Sequence, residues 1–135
     1  MKYYNLLLLP LLTACAGTPP DNLGIIQGKL SSCPESPNCV SSYSSNDTHK
    51  ISPLKSSIEE IQQILISQDR VKIITQNEHY LYAEFTSKLM RYVDDVEFYY
   101  VPEEQVVHVR SASRLGKSDM GVNRKRIEHI RTLIK

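Results

Sequence analysis

The chain has no tryptophan, two phenylalanines and five glycines among 135 residues. Any core must therefore be built from aliphatic side chains and from tyrosines, whose hydroxyls need partners once buried. The few glycines form no phosphate-cradling loop, and neither a Gly-x-Ser-x-Gly elbow nor a His-Glu-x-x-His pair occurs, so the familiar nucleotide, serine-hydrolase and zinc-protease motifs are missing. An excess of basic charge is missing too: sixteen Lys and Arg stand against fifteen Asp and Glu, a formal net charge of +1. That balance gives no general attraction to nucleic acid. Nor is there a long apolar run. The stretch Leu6 to Leu12 is interrupted by Pro10 and falls well short of the roughly 20 residues of a spanning helix.

What the N-terminus does carry is Lys2, then that short apolar run, then small residues before a cysteine: MKYYNLLLLPLLTAC. This is the layout of a secretory signal peptide over residues 1–14. Leu12-Thr13-Ala14-Cys15 resembles a bacterial lipobox, which implies cleavage before Cys15 and lipidation of its thiol. Ala16 after the cysteine resembles outer-membrane sorting. The expected location is the cell envelope, tethered by lipid and facing the periplasm if the cell is Gram-negative. Cleavage leaves a chain long enough for one domain with a core and too short for two.

Three cysteines in an exported chain leave two after lipidation, Cys33 and Cys39, within CPESPNC. In an oxidising compartment they read as a short disulfide loop bent by Pro34 and Pro37. Their spacing does not match structural zinc sites, nor Cys-x-x-Cys redox pairs, so neither a metal nor a cofactor is expected.

Residues 15–29 read as the lipidated end and a Pro/Gly linker that lets the domain stand off a bilayer. Residues 30–135 read as a single α+β domain. SSIEEIQQILISQ places Ile58, Ile61, Ile64 and Leu65 on one helical face, with Ser56 and Glu59 as a capping box. Four strand-like runs follow, RVKIITQ, HYLYAEFTS, VDDVEFYYV and QVVHVRSAS, with connections short enough for an antiparallel meander. MGVNRKRIEHIRTLI closes the chain as a second helix, with Met120, Ile127, Ile130 and Ile134 inward and Asp119 as N-cap. The predicted architecture is a two-layer fold: a four-stranded, mainly antiparallel sheet with two helices packed on one face.

Strand parity sorts the side chains. Val71, Ile73, Leu81, Ala83, Phe85, Val96, Phe98, Tyr100, Val107 and Val109 share an apolar face. Tyr80, Tyr82, Glu84, Asp95, Glu97, Tyr99, His108, Arg110 and Arg114 share the other. Charge supports the grouping, because acids dominate from Glu78 to Glu104 and bases dominate from Arg110 onward. Two readings of this second face stay open. It is either a solvated surface of cross-strand ion pairs, or a site where arginine forks and tyrosines hold a small polar or anionic ligand under Ile25, Ile26 and Leu30. An envelope protein is the alternative partner, and a hydrolase using Glu84, Asp95 or Glu97 the alternative activity. Against catalysis, neighbouring arginines hold carboxylates ionised. Asn123 points inward at helical spacing and needs hydrogen-bond partners, as does Arg124 beside it. The basic run Arg124-Lys125-Arg126 reads as a solvated helix face resting near anionic lipid headgroups.

CPESPNCVSS, YLYAEFTS, VDDVEFYY and VRSASRLGKSDMGVNRKRIEHIR resemble the signature segments of the bacterial family called domain of unknown function 1499, from about Leu30 to the C-terminus. The resemblance implies no reaction, ligand or cofactor. It marks Cys33, Cys39, Glu84, Asp94, Asp95, Glu97, Arg110, Ser111, Ser113, Arg114, Asp119, Asn123 and Arg124 as the positions of interest.

Overall fold

The computed structural model describes residues 16–135; the expected export signal and the expected lipidation site Cys15 lie outside the described residues. The elements in chain order are β1 (Ile25–Ile26), β2 (Lys29–Leu30), β3 (Cys39–Ser41), α1 (Ile58–Ile66), β4 (Val71–Gln76), β5 (Tyr80–Thr86), β6 (Val93–Val101), β7 (Val106–Ser113) and α2 (Val122–Leu133). The four strand-like runs are β4 to β7, and they pair as an antiparallel meander.

The main sheet has five strands rather than the expected four, in the order β3-β7-β6-β5-β4. The fifth comes from NCVSS, where Cys39, Val40 and Ser41 pair with Ala112, Ser111 and Arg110. Three residues cannot display a period, so this strand is defined by its partner rather than by its own pattern.

One sheet face makes the core. Leu81, Ala83, Phe85, Val96, Phe98, Val107 and Val109 form a single buried cluster with Ile58, Ile61 and Leu65 of α1 and Ile127 and Ile130 of α2. The capping box of α1 sits one residue later than expected. Ser57 Oγ accepts the Glu60 N–H at 3.2 Å, while Ser56 donates to the Glu60 carboxylate at 2.7 Å. Tandem Ser-Ser and Glu-Glu satisfy the pattern in either register.

At α2 the expectation for Met120 fails. Its backbone is left-handed (φ 54°) and its side chain 87 % exposed. The chain turns at Met120-Gly121, and Gly121 (φ 78°) occupies the N-cap position. Asp119 still serves the helix end from two residues upstream, accepting the N–H groups of Gly121 (2.9 Å) and Asn123 (3.0 Å).

The segment expected to hold the domain off the membrane instead lies on the second sheet face. Ala16 O accepts from Arg114 at 3.4 Å, the Gly24 N–H reaches Glu97 at 2.7 Å, and Leu30 packs with Tyr80 and Tyr82. Its far end is fastened by the Cys33–Cys39 disulfide to the start of β3. Among the described residues, no helix is long and apolar enough to cross a membrane.

Candidate functional site

Antiparallel register brings the polar side chains of three strands into one cluster. Glu84 faces Asp95 across β5 and β6, Tyr82 faces Glu97, and Glu97 faces Arg110 on β7. Arg114, just beyond β7, grips Asp95 with two nitrogens at 2.6 and 3.1 Å and Glu84 at 2.8 Å. Tyr82 donates to Asp95 at 2.7 Å. Charge-assisted bonds from Asp95 and Glu84 hold the Arg114 proton more tightly than usual.

This face is not solvated. Asp95, Glu97 and Arg110 are buried, Glu97 completely and Arg110 to 4 % exposure. Of the residues expected to roof it, Leu30 does so, whereas Ile25 and Ile26 point to solvent. Burial raises the Glu97 pKa, against the opposing pull of the Gly24 N–H, the Tyr80 hydroxyl (2.8 Å) and Arg110. Burial likewise lowers that of Arg110.

Arg110 and Glu97 form a separated pair. Arg110 Nη1 lies 3.6 Å from Glu97 Oε2, too far for a hydrogen bond. Arg110 Nε and Nη1 and Glu97 Oε2 are buried without hydrogen-bond partners, and so is Asn22 Oδ1. Arg110 also lines a cleft of about 750 Å³, together with Arg114, Ser113, Ser32, Asn22 and Thr18 and the carboxylates of Asp95 and Asp21. The unpartnered guanidinium atoms are themselves shielded from solvent, so a carboxylate or phosphate oxygen reaches them once the groups covering them shift.

The other candidates form a second network beneath the start of α2. Asn123 is fully buried; the two N–H groups of its amide are shared among Asn38 O (3.1 Å), Ser113 Oγ (3.0 Å) and Asp119 Oδ2 (2.6 Å), and its amide oxygen accepts from Ser111 and from Arg126 (2.7 Å). Arg126 binds Asp94 at 2.6 Å and lies over the Phe85 ring at 4.7 Å. It is therefore part of this buried network, not of a solvated face; its position three residues after Asn123 is the available clue. Arg124 holds the carbonyls of Lys50 (2.6 Å) and Thr48 (3.1 Å). Every donor and acceptor of this network named above has a partner, so it reads as structural.

Sequence reasoning missed a third grouping. Ser42 Oγ lies 2.9 Å from His108 Nδ1, and His108 Nε2 lies 2.7 Å from Glu104. The connectivity is that of a nucleophile relay. Yet Ser42 Oγ already accepts the Val109 N–H at 2.9 Å, and the Tyr43 ring stacks over the imidazole at 4.0 Å. The hydroxyl continues the ladder beyond β3. Burial together with Glu104 pushes the Tyr43 pKa up to about 12, so this phenol stays neutral beside the histidine. Among the described residues, no group of three or more His, Cys, Asp or Glu is placed to hold a metal.

Residues 29–134 match the family model described as "Protein of unknown function (DUF1499)". No curated protein and no solved structure matches the chain.

Proposed function

The chain belongs to the DUF1499 family, and we propose that it is a lipid-anchored cell-envelope module that binds a small anion in the cleft at Arg110. The observation that carries the reading is the buried guanidinium with two donors lacking acceptors. A buried donor without a partner costs on the order of 1–3 kcal/mol, and an incoming carboxylate or phosphate oxygen recovers that cost. Ser32, Ser113 and Asn22 on the same cleft add neutral groups for orientation. The anchor reading rests on Cys15 in its lipobox setting.

An envelope hydrolase is less well supported. Glu84 and Asp95 are both engaged by Arg114, and Asp95 also accepts from Tyr82, so their oxygens are committed to partners within the fold. Glu97 has the raised pKa of an acid catalyst but is completely buried beneath Gly24.

The test is a thermal-shift series on the full chain with inorganic phosphate, acetate, dicarboxylates and cell-wall fragments. At least one anion should raise Tm in proportion to its saturation. Arg110→Gln, which keeps amide donors but removes the charge, should remain folded and lose that shift. Anions that shift both proteins equally, or none at all, would refute the site; a released product would favour catalysis.

A further inference from the structure

Two loops at one end of the main sheet display apolar side chains that the fold leaves uncovered. The β5–β6 loop carries Leu89 (86 % exposed) and Met90 (65 %), followed by exposed Tyr92; the β7–α2 loop carries Leu115 and Met120, and α2 opens with Val122, all exposed. A groove of about 440 Å³ lies between the loops, with Tyr92, Leu115 and Val122 on its walls, while Leu89, Met90 and Met120 stand outside it. Isolated exposed apolar residues need no explanation, but six of them on two neighbouring loops and the helix start that follows do.

Lys88 and Arg91 share the first loop and Lys117 the second; none of the three forms an ion pair among the described residues. Nearby acids are already committed, Asp94 to Arg126 and Asp119 to the start of α2. The tip therefore combines apolar side chains with a net positive charge, Lys88, Arg91 and Lys117 against the one carboxylate of Asp119, which bonds only neutral donors. That chemistry matches an anionic bilayer surface, where apolar groups enter the headgroup boundary and each nearby cation is drawn to the lipid charge.

The path of the chain selects the bilayer over other occupants. Ala16, bonded directly to Cys15, lies at this same end. It shares a cleft with Arg91, Val93 and Thr86, its carbonyl accepts from Arg114, and a Cβ on Gly17 would touch Leu115 at 3.2 Å. Acyl chains on Cys15 would therefore leave the protein beside the exposed loops, one residue from the described fold.

We propose that the Leu89-Met90-Tyr92 and Leu115-Met120-Val122 tip is a membrane-seating surface that docks the domain on anionic lipid next to its anchor. The proposal rests on the lipid-anchor reading of Cys15. It does not require the anion cleft. With the tip seated, the domain has a fixed orientation instead of swinging on a tether.

The test uses the full chain purified from membranes, with Met90→Cys or, as a reference at the far end of α2, Leu133→Cys. Leu133 is also exposed, at 40 %. Each thiol is labelled with an environment-sensitive fluorophore, and the protein is reconstituted in phosphatidylethanolamine vesicles with or without phosphatidylglycerol. Quencher-bearing lipids should reduce the Met90→Cys signal at least about threefold more than the Leu133→Cys signal. The difference should diminish without phosphatidylglycerol and with Arg91→Glu. Equal quenching at both sites overturns the proposal. A blue shift at the tip without lipid quenching also overturns it, since protein would then cover the surface. The parent chain separates the two failures: a Cys15 thiol that accepts the label, with no acyl mass on it, refutes the anchor whatever the tip does.

Discussion

At Glu97, removal from water favours the protonated acid, while a backbone N–H, a tyrosine hydroxyl and a nearby guanidinium favour the carboxylate. Burial is the largest of these influences and raises the pKa. The native state thus keeps the proton to a higher pH than the unfolded chain does. Between the ordinary carboxylate value and the raised one, unfolding releases a proton, so stability falls as pH rises and levels off once Glu97 is ionised in both states. Glu97→Gln retains an oxygen for Gly24 and Tyr80 but cannot titrate. Its Tm relative to the parent should therefore climb across that acidic window and then hold constant; parallel curves would place the charge elsewhere. Strand parity assigned Glu97, Arg110, Tyr80 and Tyr82 to their common face because alternation is a local property of each strand. Their burial was not legible, since it depends on residues 16–34, a Pro/Gly-containing segment with no period from which to read what it covers.

The helices and the meander were legible where an element is long enough to repeat its pattern. Strands β4 to β7 span six to nine residues, whereas β1, β2 and β3 span two or three and carry no pattern. Helix ends turn on single hydrogen bonds, which explains the shift of the α1 cap and the loss of Met120 from α2. The most informative end is that of α2, where Asp119 accepts from two backbone N–H groups and from the Asn123 amide. Burial pushes the Asp119 pKa up, but those hydrogen bonds outweigh it and the net shift is downward. The stabilisation is therefore present above the ordinary aspartate value and disappears as pH falls through the lowered one. Asp119→Ala should cost about 1–2 kcal/mol at neutral pH, measured by urea unfolding, and the gap from the parent should narrow in acid. A pH-independent gap would mean that the loop's shape, rather than the carboxylate, holds the helix.

Across the whole molecule, the N-terminal strap decides whether the charge cluster is enclosed. One of its ends leads to the proposed anchor, its middle is held by the bond from Gly24 to Glu97 and by Leu30 against two tyrosines, and its far end is tied by the disulfide. Cys33 and Cys39 are six positions apart, so the chain-entropy contribution of this small loop is about 2 kcal/mol. Its placement matters more, because Cys39 is buried in the strand that pairs with β7 around Arg110. Replacing both cysteines with serine should lower global stability by about that amount. It should also let the strap open locally before the sheet does, since few apolar contacts hold it down. Hydrogen exchange tests this directly: the Gly24 amide should exchange faster in the variant by a larger factor than amides of β5 and β6. Uniform acceleration would mean that strap and sheet open as one unit, and the cleft at Arg110 would then be as permanent as the core beneath it.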